Sequence, residues 1–433
     1  MKGPQETPTA CRGAGIGLSP ARSARRLGAV GLAFGLYCFQ LHRARAEDQA
    51  DYRFESYQED RGRISVDTHS WLFDVELKPW LSLKGQAVYD AISGATPSGS
   101  PTPSQARDIW ISQNPGDPTP SGSFENRVPT RFMRDKRWAG TMDATLNFGP
   151  HHFTPEFSYS SEHDYLSYGA ALTYALDLNG KNTTLSLGWS HDWDTILPNE
   201  ATYGIPLDQV RRKDTDDLFV GVNQLLGPKT VLTVNFTFRN AHGYLDDPYR
   251  GALFDSFLNG VDPTFLDWSN LPLYQEQRPG HRESYIGYAS LTQFVTPLHA
   301  SAEGSYRFSY DSYGIDAHTV ELFWHQKIGR LIMVSPVFRY YRQSAAEFYG
   351  THFAGDPTGF DPANPPPTYW SSDYRLSALE TYSYGVSASA RITRWCSLDA
   401  SFKRYEMLGL DHETSASVYP KANMFTVGAR LWF

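Results

Sequence analysis

Period-two alternation, repeated from about residue 50 to the end, most limits what these 433 residues can become. In Thr230–Asn240, Leu232, Val234, Phe236 and Phe238 fall on one face while Thr233, Asn235, Thr237 and Arg239 fall on the other. Leu185, Leu187 and Trp189 alternate with Thr184, Ser186, Gly188 and Ser190. The same pattern sets Ala302, Gly304, Tyr306, Phe308 and Tyr310 against Ser301, Glu303, Ser305, Arg307 and Ser309, and Leu398, Ala400 and Phe402 against Ser397, Asp399, Ser401 and Lys403. Side chains alternate across a strand, so such runs are half-apolar strands. Each run is about ten residues long, what a tilted strand needs to cross a bilayer. No mature stretch approaches the roughly 18 apolar residues of a membrane helix. A mean hydropathy of -0.46 is compatible with a membrane barrel, because every second residue faces water.

Turn chemistry sets the topology. Short links fall at Lys78-Pro79, Gly149-Pro150, Asn179-Gly180, Gly227-Pro228, Thr296-Pro297, Ile328-Gly329 and Thr393-Arg394, rich in the residues that turns require. Long links fall between them, near 93–130, 195–213, 244–281, 348–373 and 409–420. Short and long links alternate as periplasmic turns and extracellular loops do in outer-membrane barrels. With Tyr52–Glu59 as the first strand, the expectation is an all-β, transmembrane, antiparallel up-and-down barrel of about sixteen strands, with fourteen or eighteen also compatible. The chain then closes on an amphipathic strand, Met424–Phe433. Its Phe425, Val427, Ala429, Leu431 and Phe433 share one face, which resembles the signal that such barrels present to their assembly machinery.

Residues 1–46 read as an export signal. Arg22, Arg25 and Arg26 form a basic region, Leu27 to Leu41 an apolar one, and Ala44-Arg45-Ala46 a cleavage site. Arg25-Arg26 without the rest of a twin-arginine motif does not specify that route, and Cys38 lacks the small residue expected before a lipoprotein cysteine. Residues 47–433 are then the barrel. Removing the signal takes away seven basic residues and one acidic residue and leaves a net charge near −14. That balance excludes nucleic acid as a partner, since phosphate binding needs a basic surface. Cys396 is the one cysteine of the mature chain, so neither a disulfide framework nor a structural zinc site is available.

Three longer segments stand out, Tyr89-Asp90-Ala91-Ile92-Ser93-Gly94-Ala95-Thr96-Pro97, Ser161-Glu162-His163-Asp164-Tyr165-Leu166-Ser167 and Asp246-Asp247-Pro248-Tyr249-Arg250, with Arg278-Pro279, Arg282-Glu283 and Ser372-Asp373-Tyr374-Arg375-Leu376-Ser377. In these segments the chain resembles the domain-of-unknown-function 3570 family of outer-membrane barrels. The resemblance spans nearly the whole mature chain and implies a barrel in the bacterial outer membrane. It implies no catalytic residue and no cofactor.

The register places Lys84, Asp143, Glu156, Asp177, Arg239, Glu303, Arg307, Glu321, Arg339, Asp399, Lys403 and Arg430 on the lumen side. Charges there either select solutes or tie the wall together by ion pairs. Asp246, Asp247, Tyr249 and Arg250 read as a loop-ordering group, with Arg250 pairing an aspartate and Tyr249 packing beneath it. Asp262 and Asp267 add acid to that loop, but the spacing fits no calcium motif, so no metal is expected. Catalysis is disfavoured. In His191-Asp192 the two side chains point to opposite faces of a strand, and no serine stands in a recognisable nucleophile context beside this pair or His163-Asp164. His151-His152 reads as an interfacial feature. Trp193, Tyr203, Tyr369 and Trp370 read as aromatic girdle rather than sugar-binding residues. The favoured function is a channel or transport barrel for small solutes. The alternative is a structural or partner-binding barrel with an occluded lumen, and a rim hydrolase comes third. Expected partners are outer-membrane lipid, the barrel-assembly machinery and a small solute.

Overall fold

The computed structural model describes residues 48–97, 130–197, 210–254 and 273–433. The proposed signal, 1–46, and most of the long link read as 93–130 lie outside the described residues, as does Tyr203.

Alternation becomes a closed antiparallel barrel of sixteen strands. In chain order the first nine are β1 (Gln49–Glu59), β2 (Ile64–Lys78), β3 (Leu81–Pro97), β4 (Thr130–Phe148), β5 (His151–Ser161), β6 (Tyr165–Leu178), β7 (Thr183–Ile196), β8 (Arg211–Gly227) and β9 (Thr230–Gly243). The other seven are β12 (His281–Val295), β13 (Ala300–Asp311), β14 (Asp316–Ile328), β15 (Ile332–Gln343), β16 (Leu379–Thr393), β17 (Cys396–Gly409) and β18 (Lys421–Trp432). Each pairs with its sequence neighbour in the ring, and β1 closes it on β18, from Gln49 opposite Trp432 to Glu59 opposite Ala422. Closure leaves no unpaired strand edge, the condition for a sheet in hydrocarbon. β10 (Gly251–Ala252) and β11 (Tyr274–Gln275) form a separate ribbon.

The links separate two ends. All seven predicted short links sit at one end, where Asn179-Gly180 turns with φ of 50° and 65°, a left-handed conformation that Asn and Gly tolerate. The longer connections sit at the other. One of these is longer than its sequence suggested: it runs from Gln343 to Leu379, not 348–373. Ser344-Ala345-Ala346-Glu347 carries no Gly, Pro, Asn or Asp to announce where β15 stops.

The outer wall is apolar and uncovered. Leu187, Leu218, Val220, Phe236, Leu322, Phe402 and Phe425 are all about half exposed. Such a surface needs hydrocarbon around it. Trp80, Phe148, Leu298, Leu331 and Trp395 mark the short-link end of this band. Tyr159, Tyr168, Trp193, Tyr285 and Tyr310 mark the other, as interfacial aromatics do.

A compact cap lies at the long-loop end, and there the burial pattern reverses. Residues 244–254, 273–280, 312–315, 344–378 and 410–420 bring together three apolar clusters. One gathers Tyr313, Ile315, Ala346 and Leu376; the second Ala252, Phe254 and Trp370; the third Leu379, Val418 and Tyr419. Phe254 is fully buried and meets Trp370 edge-on at 5.4 Å. Trp370 is therefore a cap core residue and not part of the girdle, whereas Trp193 stands exposed on the outer wall.

Candidate functional site

The inner wall carries the alternate residues of each strand. Arg430 donates to Asp51 at 2.8 and 2.7 Å, Arg239 grips Asp217 with two bonds of 2.7 Å, and Lys84 lies 3.4 Å from Asp74. Asp399 is 4.0 Å from Arg53, and Asp177 accepts from Thr184 and lies 3.1 Å from His152. These groups tie neighbouring strands together.

Other inward charges stay free. Arg307, Arg339 and Lys403, on β13, β15 and β17, have no ion pair or hydrogen bond among the described residues. Each sits seven residues beyond the first residue of its strand, so the three share one level. Glu321 stands opposite Arg339 in the ladder, yet no ion pair forms within 4.0 Å. Glu303 lies four residues below Arg307 on the same face. On the far wall Asp143 and Glu156 are direct cross-strand partners, a like-charge pair with Lys84 next to Asp143 on the other side. Glu156 is on the fifth strand of the ring and Arg339 on the thirteenth, half of the sixteen-strand circuit apart. A ring of this size has the width for water inside it, and its two opposite sides carry charges of opposite sign.

Over this lumen the cap is held by charge pairs. Arg278 meets Glu276 at 2.7 Å and Asp373 at 2.9 Å; Arg375 meets Asp247 at 2.6 Å and Asp373. Glu276, Asp373 and Ser371 are almost wholly buried. Ser371 Oγ donates to Glu276 at 2.5 Å, and the Asp247 amide donates to the same carboxylate. Burial pushes the Glu276 carboxyl up to about 7, against the pull of Arg278. Asp373 goes the other way: burial raises it, but Arg375, Arg250 and Arg278 together hold it well below the carboxylate range.

The segments that carried the family resemblance meet at this cap. Arg250 lies 3.5 Å from Asp247 and donates to the Pro97 carbonyl and, at 3.5 Å, to Thr96. Tyr249 donates to Asp164 in the β5–β6 hairpin, and Asp246 accepts from the Arg278 amide at 2.6 Å. Gly94 precedes the Thr96-Pro97 pair with a φ of 136°, and a side chain there would collide with the Arg63 carbonyl, to which Ala95 donates at 2.6 Å. Arg63 in turn donates to Ser417 and Val418 at 2.6 and 3.1 Å, tying the last loop to the first.

Between cap and wall lies a cavity of about 550 Å³. The β5–β6 hairpin lines it through Glu162 and Asp164, the strands through Lys213, Arg239, Arg282 and Arg307. Asp135, Glu162 and Asp164 place three carboxylate oxygens within 4.8 Å of one another. Sequence reading missed this cluster, because Asp135 is in mid-strand and far from the hairpin in sequence. It also missed the outward partner of His191, which hydrogen-bonds Asp216 at 2.8 Å and lies 3.6 Å from Asp214 on the neighbouring strand. Asp192 points inward, opposite Gly169. At the short-link end His151 stacks on Tyr174, while His152 turns inward to Asn147 and Asp177.

A closed barrel with an apolar exterior and a charged interior defines an integral outer-membrane β-barrel protein. The sequence matches the family described as "Protein of unknown function (DUF3570)" over residues 37–424, and the chain belongs to that family. No curated protein sequence matches it. Among solved structures it is similar to the siderophore receptor PirA from Pseudomonas aeruginosa, at 10% identity over 90% of this chain and 62% of that one, with a TM-score of 0.39. CdiB from Acinetobacter baumannii is similar at 8% identity over 90% of this chain and 61% of that one, TM-score 0.47. OmpT, an outer membrane protein of Vibrio cholerae, is similar at 9% identity over 91% and 100%, TM-score 0.34. The chain spans less than two thirds of the length of PirA and CdiB.

Proposed function

We propose that this barrel is a channel for small polar solutes, with the cap at its extracellular mouth and the short links in the periplasm. One observation carries the reading: Arg307, Arg339 and Lys403 stand unpaired at one level, and the like-charged pair Asp143 and Glu156 lies on the opposite side of the ring. A wall that needed these charges only for cohesion would pair them, as it pairs Arg430 with Asp51 and Arg239 with Asp217. Free charges on opposite walls orient dipolar solutes and bias ion flow. The cap favours a second reading, a partner-binding barrel with an occluded lumen. Asp246, Asp247, Tyr249 and Arg250 serve there as ordering residues, and Phe425, Val427, Leu431 and Phe433 as the assembly signal in biogenesis.

Purified protein in planar lipid bilayers separates the two readings. The channel gives stepwise conductance that Arg307→Ala or Arg339→Ala alters. A well-folded barrel that stays electrically silent contradicts it.

A further inference from the structure

Beneath the cap nearly every charge is matched. Arg239 is neutralised by Asp217, Arg282 by Asp311, Lys213 by Asp194, and Arg278 by Glu276 and Asp373. Two places in the cavity are left over. At one, the exposed guanidinium of Arg307 meets no acceptor among the described residues. At the other, Glu162 and Asp164 join Asp135 in a cluster met by the Tyr249 hydroxyl at Asp164 and by Arg137, 4.0 Å from Glu162, so three carboxylates share a single cation among the described residues. Burial first, and then Asp135, push the Glu162 carboxyl up. An acidic cluster on a solvated hairpin would be ordinary surface. This one opens into the same 550 Å³ cavity as a free arginine, so a ligand can meet both.

The spacing selects the ligand. The hairpin joins the fifth and sixth strands of the ring, and Arg307 is on the eleventh. Five strands at about 4.8 Å each is roughly 24 Å along the wall, from which both sets of side chains reach inward. A single amino acid carries its two charges too close together to touch both ends. An extended peptide adds roughly 3.3–3.6 Å per residue.

We propose that the cavity beneath the cap binds short zwitterionic peptides of about three to five residues, with the terminal carboxylate on Arg307 and the terminal ammonium on Glu162 and Asp164. An arginine fork suits a carboxylate, and paired carboxylates suit an ammonium. As recognition of a cargo this rests on the channel reading; as binding it stands alone.

The test is calorimetric titration of the full-length barrel in detergent micelles. The probes are tetra-alanine, its N-acetylated and C-amidated forms, alanine, and calcium chloride. Free tetra-alanine binds. Blocking either terminus weakens it about tenfold or more, the loss of one charge-assisted contact. Arg307→Ala and Glu162→Gln do the same, while Lys229→Ala, at a short link, leaves binding unchanged. If a cavity variant fails to fold, the blocked peptides put the same question to the unaltered protein. Equal binding of free and blocked peptides, alanine binding as tightly as the tetramer, or no heat at millimolar peptide overturns the proposal. So does calcium that occupies the acidic cluster and is not displaced by tetra-alanine. A barrel that binds free tetra-alanine yet is silent in bilayers removes the channel and leaves the site.

Discussion

Wall and cap use the same residue types in opposite ways. On the wall, Leu187 and Phe236 are about half exposed, and the charges they alternate with face the lumen. In the cap, Phe254 and Leu379 are almost fully buried, and Glu276 and Asp373 are buried with them. The wall is held by its hydrogen-bond ladder and surrounding lipid. The cap is held as a small soluble protein is, by a packed core and a charge network that cannot lose a member cheaply.

The strongest break of this contrast is Arg278→Ala. It strands Glu276 as a buried carboxylate without a cation and leaves Asp373 to Arg375 and Arg250, a loss of about 3–5 kcal/mol. Hydrogen exchange should accelerate across 273–280 and 344–378 while the strand amides keep their protection. Loss of strand protection as well would show that wall and cap fold as one cooperative unit.

Next in size is a test of the faces. Leu187→Arg puts a charge on the lipid side and should destabilise the barrel by about 2–4 kcal/mol, whereas Ser186→Arg, one residue away and facing the lumen, should cost far less. Urea unfolding in lipid vesicles measures both. Equal effects would mean that the assignment of inside and outside is wrong.

A smaller effect comes from pH. Glu276 titrates near 7 in the folded cap against an ordinary value of 4.5, so between these values the folded cap holds a proton that the opened cap does not. Cap stability then falls as pH rises through that window and is flat above it. Arg278, Asp373, the Ser371 hydroxyl and the Asp247 amide are the groups that face this carboxyl. Exchange at Gln275–Gln277, corrected for intrinsic rates, should be faster at about pH 8 than at about pH 5.5. A slower or unchanged rate at the higher pH contradicts the assignment.

Smallest of all is Arg239→Ala. Its bond to Asp217 is bidentate but half exposed, so the loss should be at most about 1 kcal/mol in the same urea experiment.

The two parts also differ in how far the sequence discloses them. In the wall each residue's face follows from its neighbour's, so Leu232 and Arg239 could be placed from a ten-residue window. The short, charged pattern of β1 was the hardest to read, and the structure closes the ring with it. The cap has no period. Its pairs, such as Arg278 with Asp373, Phe254 with Phe353 and Arg250 with Thr96, join residues roughly a hundred or more positions apart. Trp370 was misread for that reason: a tryptophan near a loop base looks the same in sequence whether it meets lipid or Phe254. The equal level of Arg307, Arg339 and Lys403 was latent in the sequence, but it emerges only once the strand starts are known.

The central claim is that free charges on opposite walls polarise a conducting lumen. Reversal potential in a potassium chloride gradient tests it most directly. Removing Arg307, Arg339 and Lys403 together should shift selectivity toward cations, and Asp143→Asn with Glu156→Gln should shift it toward anions. Two shifts of the same sign, or none in channels that still conduct, would contradict the account.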